Sequence, residues 1–386
     1  MSVTPTLAER LAVPGKGKLA VALSGGGDSV ALLHLLKEAG KDPVAVTVDH
    51  RLRPESAAEA ETVARWCRDW GVRHALLVWD HAAVAGNLMD QARRARMRLI
   101  SDWAVAQGLG VVALGHTADD QAETLLMGLS RAAGIDGLCG LRPRWQAGGV
   151  TWIRPMLQLG RAGLRAWLTA RGLPWIDDPT NESDRFLRVR TRKALVQLAP
   201  LGLTVERLAA SAAHLAEARA ALDGATVEAA DRVTFEAAGA LRLDRAGFAA
   251  LPDEIARRLL QAAVLWLSGA DYPPRAADLA RLVRAVRESR AATLAGCRLK
   301  DGWLTVEPKA ASLGRWQVAP DAAPRLLGAD GLRQCPDWRA TGLPRHVLEV
   351  TPGIWQGDSL IAAPCAGFGA ATALCVPGFH AFLLSH

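Results

Sequence analysis

The sequence predicts an α/β protein in which a doubly wound parallel-sheet domain is followed by a mainly helical domain and a small C-terminal α/β or β module. Three observations predict it. Short apolar runs of β character alternate with helical segments over the first 200 residues. The texture changes after Pro200 to Ala-, Leu- and Arg-rich helices, and the last 75 or so residues turn richer in Gly and Pro. Domains are therefore expected at 1–200, 201–310 and 311–386, in keeping with a 386-residue chain that exceeds one ordinary core.

The first run, 18–23 (KLAVAL), ends at Ser24-Gly25-Gly26-Gly27-Asp28-Ser29, and the helical periodicity that follows closes at Gly40. The pattern then repeats. PVAVTV (43–48) precedes a helix over Glu55–Trp70, and VRHALLVW (72–79) precedes one over 88–107. GVVALG (110–115) precedes a helix over Ala118–Leu129, and VTWIRP (150–155) precedes one near Arg161–Arg171. Strands separated by helices of this length imply right-handed crossovers and a sheet covered on both faces, with ligands beyond the strands' carboxyl ends. A further helix is expected over 187–198, then helices over about 204–223 and 246–288. Residues 293–308 read as a β-pair turning at Lys300-Asp301-Gly302.

Half the residues are hydrophobic and 22% are charged, which excludes disorder and collagen-like or simple coiled-coil architecture. No apolar run approaches the ~20 residues of a membrane span and the N-terminus lacks a secretory layout, so a cytoplasmic protein with no membrane partner is expected. Six scattered cysteines without a CxxC pair read as reduced thiols. The net charge is +7, and arginines outnumber lysines 39 to 7. Between Arg142 and Lys193, eleven basic residues face four acidic ones, a local surplus equal to that of the whole chain. Such a block suits a polyanion, although a solvated helical face has the same composition.

Three polar clusters share the predicted carboxyl rim. The bend at Ser24, Gly25, Gly26, Gly27, Asp28 and Ser29 aims backbone N–H groups and a helix N-terminus at one point, the arrangement that holds phosphate. It is neither a Walker loop nor a GxGxxG turn. Asp28 would repel that phosphate unless a divalent cation such as Mg²⁺ lay between them, although it also reads as a first-turn residue favoured by the helix dipole. The second cluster is Asp49-His50-Arg51-Leu52-Arg53-Pro54-Glu55-Ser56. The third is Gly115-His116-Thr117-Ala118-Asp119-Asp120-Gln121-Ala122-Glu123, whose carboxylates are spaced to share a helix face or to cap it. His116 could donate to an oxyanion, but a lone histidine is more often simply hydrogen-bonded.

With SGGGDS unbroken at 24–29, these segments resemble the PP-loop family of ATP pyrophosphatases. DHRLRPES, GHTADDQAET, the glycine run of Arg131–Leu138, Arg154-Pro155 and Asp178-Pro179-Thr180-Asn181 are similar to the lysidine-forming branch of that family. The likeness is close over 18–200 and diffuse beyond. It implies ATP and Mg²⁺ as cofactors, and tRNA(Ile) with an unmodified wobble cytidine and free L-lysine as partners, with no DNA. ATP would adenylate the base's ring carbonyl oxygen with loss of pyrophosphate, and lysine would then displace AMP. The resemblance implies metal binding by Asp28 with Asp119 or Asp120, lysine orientation by Asp119 and Glu123, and charge stabilisation by His116. It implies phosphate or base contacts for Arg93, Arg96, Arg188 and Arg192, for which surface salt-bridging is the alternative reading. Met97, Ala132, Val189 and Thr191 depart from the family pattern, the last two weakening the reading of Arg188 and Arg192. A tRNA thiolase, which needs sulfur delivered through cysteines, and a non-catalytic nucleotide or RNA binder are the competing functions.

Overall fold

The computed structural model describes residues 7–11, 13, 17–80, 88–177, 187–318 and 324–385. Asp178-Pro179-Thr180-Asn181 lies outside them. The chain forms two compact units, residues 1–219 and 220–386.

The first unit is built on β1 (Lys18–Ala22), α1 (Gly27–Glu38), β2 (Asp42–Asp49), α2 (Ser56–Asp69), β3 (His74–Val78), α3 (Leu88–Ala106), β4 (Val111–Leu114), α4 (Ala118–Leu129), α5 (Ile135–Leu138), β5 (Arg144–Ala147), β6 (Val150–Ile153), α6 (Arg161–Ala170) and α7 (Leu187–Leu198). The strands form one sheet in the order β3-β2-β1-β4-β6-β5, parallel throughout except for β5. β5 adds an antiparallel edge strand to the predicted parallel sheet. Its residues, Arg-Trp-Gln-Ala, have no apolar run to reveal them, and a tight Gly148-Gly149 turn pairs them with β6. Strand order reverses between β1 and β4, which is where such sheets open a crevice at their carboxyl ends.

Both faces of the sheet are covered. One side packs α1 (Val30, Leu33, Leu36) and α6 (Leu164, Leu168) against Leu19, Val21 and Ala45, and the other packs Ile100 and Ala104 of α3 against Ala20, Val46 and Val112. Alternate residues of β1 thus enter opposite cores, as the two-residue period of a strand dictates.

Helix α8 (Val205–Val233) spans the division between the units and runs ten residues past the predicted 223, through Gly224. A five-stranded antiparallel sheet follows, β7 (Thr234–Ala237), β8 (Ala240–Leu243), β9 (Ala292–Leu294), β10 (Cys297–Lys300) and β11 (Trp303–Val306), in the order β7-β8-β11-β10-β9. Its three hairpins turn at Ala238-Gly239, Ala295-Gly296 and Asp301-Gly302, with φ positive at both residues of each, the signature of type I′ turns. The stretch read as helical over 246–288 resolves into α9 (Arg245–Ala249), α10 (Asp253–Ser268) and α11 (Ala276–Arg287), broken by Pro252, by Gly269 in the left-handed region and by Pro273-Pro274. Leu259, Leu260, Val264, Leu279 and Leu282 from these helices bury the sheet face formed by Leu241, Leu299 and Leu304. The remaining residues are short strands and helices, with a small core of Leu327, Leu332, Leu348 and Leu360.

Candidate active site

The first unit opens a cleft of about 780 Å³ at the carboxyl ends of β1 and β4, lined by Ser24, Gly26, Gly27, Asp28, Ser29, His116, Asp119, Asp120, Arg161, Arg188 and Arg192, among others. Part of its wall is apolar, formed by Val46, Val48, Ile100 and Leu114. The phosphate-type bend, the third polar cluster and much of the basic block therefore meet in one place.

The bend is locked from within. The Ser29 hydroxyl donates to the Gly26 carbonyl at 2.8 Å and accepts from the Ser24 amide at 3.2 Å. Gly25 has φ +85, and a Cβ there would lie 2.7 Å from Val63 Cγ2, so no other residue fits unstrained. Gly115 lets β4 approach equally closely, since its Cβ would stand 3.0 Å from the Asp28 backbone. Gly26, Gly27 and Asp28, at the N-terminus of α1, line the cleft, and the first N–H groups of a helix have no carbonyl one turn back to bind.

At the start of α4 one oxygen of Asp120 accepts from the Thr117 amide at 2.9 Å and from its hydroxyl at 3.1 Å, so the cap role and the cleft role fall on different oxygens of one carboxylate. Burial alone would push the Asp120 pKa up, but Arg161 and the Thr117 amide more than offset it and hold the carboxyl below its usual range. Glu123 is fully enclosed: Arg192 Nε donates at 2.6 Å and Arg161 Nη1 at 3.3 Å to one oxygen, and Arg188 Nε lies 3.4 Å from the other.

Asp119, Asp28, Asp120 and Glu123 converge on Arg161. Its backbone N–H donates to Asp119 at 2.7 Å, its Nε donates to Asp28 at 3.0 Å, and Nη2 lies 3.6 Å from Asp120. Burial pushes the Asp28 pKa up, with Arg161 opposing. The acids raise that of Arg161 against its own burial, fixing it as a cation. His116 accepts at Nδ1 from Arg154 Nε at 3.1 Å, which leaves its proton on Nε2. Burial, then the Arg154 charge, pushes its pKa down to about 3, so the ring is a neutral donor. Arg154 is steadied by the Arg142 carbonyl at 2.6 Å and by the Trp145 ring 4.2 Å away.

Sequence reasoning placed the bend, His116, Asp119 and Asp120 on one rim, and residues of all of these line the cleft, as do Arg188 and Arg192, which were expected as phosphate or base contacts without being placed on that rim. Glu123 lies beneath its arginines rather than on the surface. The substitutions at Val189 and Thr191 fall on the buried side of α7 and leave Arg188 and Arg192 facing Glu123. Of the α3 arginines, Arg96 lines the cleft whereas Arg93 is exposed and does not, acting on Arg96 and Arg154 only through its charge. Arg161 was missed as a site residue. Its available signal was position: it follows Gly160 as the first residue of a helix that leaves a parallel strand at the same rim.

The PP-loop domain family matches residues 3–199. A tRNA(Ile)-lysidine synthase from Ruegeria pomeroyi is 47% identical over 96% of this chain and 94% of its own length. Proteins of that name from Methylobacterium nodulans and Novosphingobium aromaticivorans are 42% and 40% identical over 67% and 74% of this chain, and over 77% and 87% of their own. The chain belongs to the tRNA(Ile)-lysidine synthase family of PP-loop proteins. The family implies ATP use, and the apolar wall beside an anion-binding bend fits a nucleotide. No helix among the described residues is long and apolar enough to cross a membrane.

Proposed function

We propose that this protein joins lysine to the wobble cytidine of tRNA(Ile) in the cytoplasm, consuming ATP. In the first step the cytidine ring carbonyl oxygen attacks the α-phosphorus and pyrophosphate leaves. In the second, the lysine side-chain nitrogen attacks the adenylated carbon, AMP leaves and the nitrogen loses a proton. The observation that carries the reading is that the phosphate-type bend at 24–29 and the acids of α4 face one cleft and are bridged by a single guanidinium, that of Arg161.

The bend grips the departing pyrophosphate with backbone N–H groups that need no reorganisation. Asp28, an ionisable group beside an anion cradle, fits a residue that holds Mg²⁺, with the cleft-facing oxygen of Asp120 as the second candidate; the ion supplies charge neutralisation on the phosphates. Neutral His116 offers its Nε2 proton to developing negative charge without bringing a positive charge that would compete with the arginines. Asp119 and Glu123 orient the lysine ammonium, and Arg188 and Arg192 hold Glu123 in place. Arg93, outside the cleft, suits an RNA phosphate. The sulfur-transfer alternative gains no support from the cysteines: burial pushes the thiols of Cys67, Cys297 and Cys365 up to about 11, 12 and 11, where none is a thiolate at neutral pH.

The test is incubation of the purified protein with MgATP, labelled lysine and unmodified isoleucine tRNA. One pyrophosphate and one AMP should appear per lysine incorporated, with a matching rise in tRNA mass. ATP binding without pyrophosphate release under any tRNA would leave a nucleotide- or RNA-binding protein instead.

A further inference from the structure

We infer that Arg161 is a built-in counter-cation that holds the acid cluster shut in the nucleotide-free enzyme, so that nucleotide must draw it away before the lysine ammonium can bind. This deepens the proposed function and rests on it.

The argument begins with charge. Asp28, Asp119, Asp120 and Glu123 come from two different loop-to-helix junctions, and their mutual repulsion inside the protein needs a cation among them. That cation is the Arg161 side chain, 17% exposed, 3.0 Å from Asp28, 3.6 Å from Asp120 and 3.3 Å from Glu123. The groups suited to a divalent cation (Asp28, Asp120) and to an ammonium (Glu123) are therefore occupied by the same guanidinium. Neither cation can take its carboxylate at full strength while Arg161 remains.

Arg161 also has somewhere else to go. Its backbone is fixed by the Asp119 bond at the first turn of α6, but its side chain is long and reaches Asp28, the residue at the phosphate-type bend. A polyphosphate seated on that bend presents oxygens that a planar guanidinium binds in preference to a single carboxylate oxygen. Nucleotide thus relieves the acids of Arg161 and leaves one guanidinium fewer on the Glu123 oxygen that Arg161 shares with Arg192. The consequence is thermodynamic coupling: nucleotide strengthens lysine binding, and lysine strengthens nucleotide binding by the same factor. An enzyme wired this way fills its amine site more readily once the base can be activated.

The test is calorimetric titration of the full chain with L-lysine, with and without a non-hydrolysable ATP analogue and Mg²⁺. In the wild type the analogue should tighten lysine binding about tenfold or more, in the usual range of coupling energies. In Arg161→Gln the nucleotide-free protein should bind lysine within about threefold of its nucleotide-bound affinity, and Mn²⁺ alone, followed by water-proton relaxation, should bind more tightly than to the wild type. Arg161→Lys, which keeps the charge, should retain part of the coupling, and equal thermal midpoints for the three proteins show that folding is not the cause. An undiminished tenfold ratio in Arg161→Gln, or its absence from the wild type, overturns the inference. Lysidine formation by the wild type is measured separately, so that failure of the coupling and failure of the reaction are told apart.

Discussion

In residues 1–219 three carboxylates, Asp49, Asp120 and Glu123, are buried at the carboxyl end of the sheet, whereas in residues 220–386 none among the described residues is buried. The second unit does carry a buried arginine, Arg258, but pairs it with Glu254 and Asp223, whose side chains reach solvent. Desolvating charge is costly, and a buried ion pair is often no better for stability than apolar side chains of the same volume. A cluster of enclosed acids and arginines is therefore not explained by folding. The second unit shows the alternative at similar size: one sheet face and three helices closed over Leu, Val, Ala and Phe. Stability resides in that kind of packing, and the charge in the first unit is kept for chemistry.

The sharpest way to break this comparison is Asp28→Ala. If the acid serves chemistry, pyrophosphate release should fall about 10³-fold or more, the scale set by losing a main electrostatic contact to the reacting group, while tRNA affinity changes little. Burial already disfavours the ionised form of Asp28, so the thermal midpoint should hold or rise. A midpoint that drops with turnover intact would make Asp28 structural. The mirror experiment is Phe248→Ala in the second unit. This ring is fully enclosed, and its loss should destabilise that unit by about 3–5 kcal/mol in denaturant titrations. ATP affinity, measured on the folded protein, should stay within about twofold.

Acid titration probes the same contrast at a smaller scale. His116 has its pKa pushed down to about 3 by burial and by Arg154, against about 6.5 in an unfolded chain. Below pH 6.5 the unfolded state therefore binds a proton that the folded state does not. The stability is intact above that pH and is lost as pH falls from about 6.5 toward 3, by at most about 1.4 kcal/mol per unit. His34, pushed down to about 4, acts in the same direction, so the informative quantity is a difference. Between pH 7 and 5 the wild type should lose about 2 kcal/mol more than His116→Gln. Parallel curves for the two proteins would mean that His116 is protonated in the folded state and is no neutral donor.

Much of the site was legible because punctuation marks it. An apolar run, a glycine or polar loop and a helical period place Ser24–Ser29 and His116–Glu123 on one rim before any coordinates are known. Arg161 was not legible as a site residue, because 37 positions separate it from the last acid of α4 and it is one of eleven basic residues in its block. Only the sheet order brings β6, and hence the start of α6, next to β4. The misses in the fold have similar causes. Gly224 looks like a helix stop, yet Ala229, Ala230 and Val233 are buried beyond it, and their packing outweighs a propensity cost of about 1 kcal/mol. The Ala238-Gly239 and Ala295-Gly296 turns carry alanine at a position where asparagine or aspartate would have announced a hairpin.

The smallest predicted effect comes from Ala132, one of the departures from the family pattern. It sits two residues beyond the C-cap of α4 with φ +50, a left-handed conformation that a side chain strains and glycine does not. Its amide bonds back to the Leu129 carbonyl at 3.0 Å, so the turn is held in that shape despite the strain. Relief of that strain is worth about 1–2 kcal/mol, and the added freedom of glycine in the unfolded chain returns about 0.5–1 kcal/mol of it. Ala132→Gly should therefore stabilise the first unit by about 0.5–1 kcal/mol and leave turnover unchanged, because Ala132 does not line the cleft. Lower stability would show that the turn relaxes without strain in solution. Lower turnover would tie the run after α4 to the cleft, and so extend the chemical region of the first unit beyond its rim.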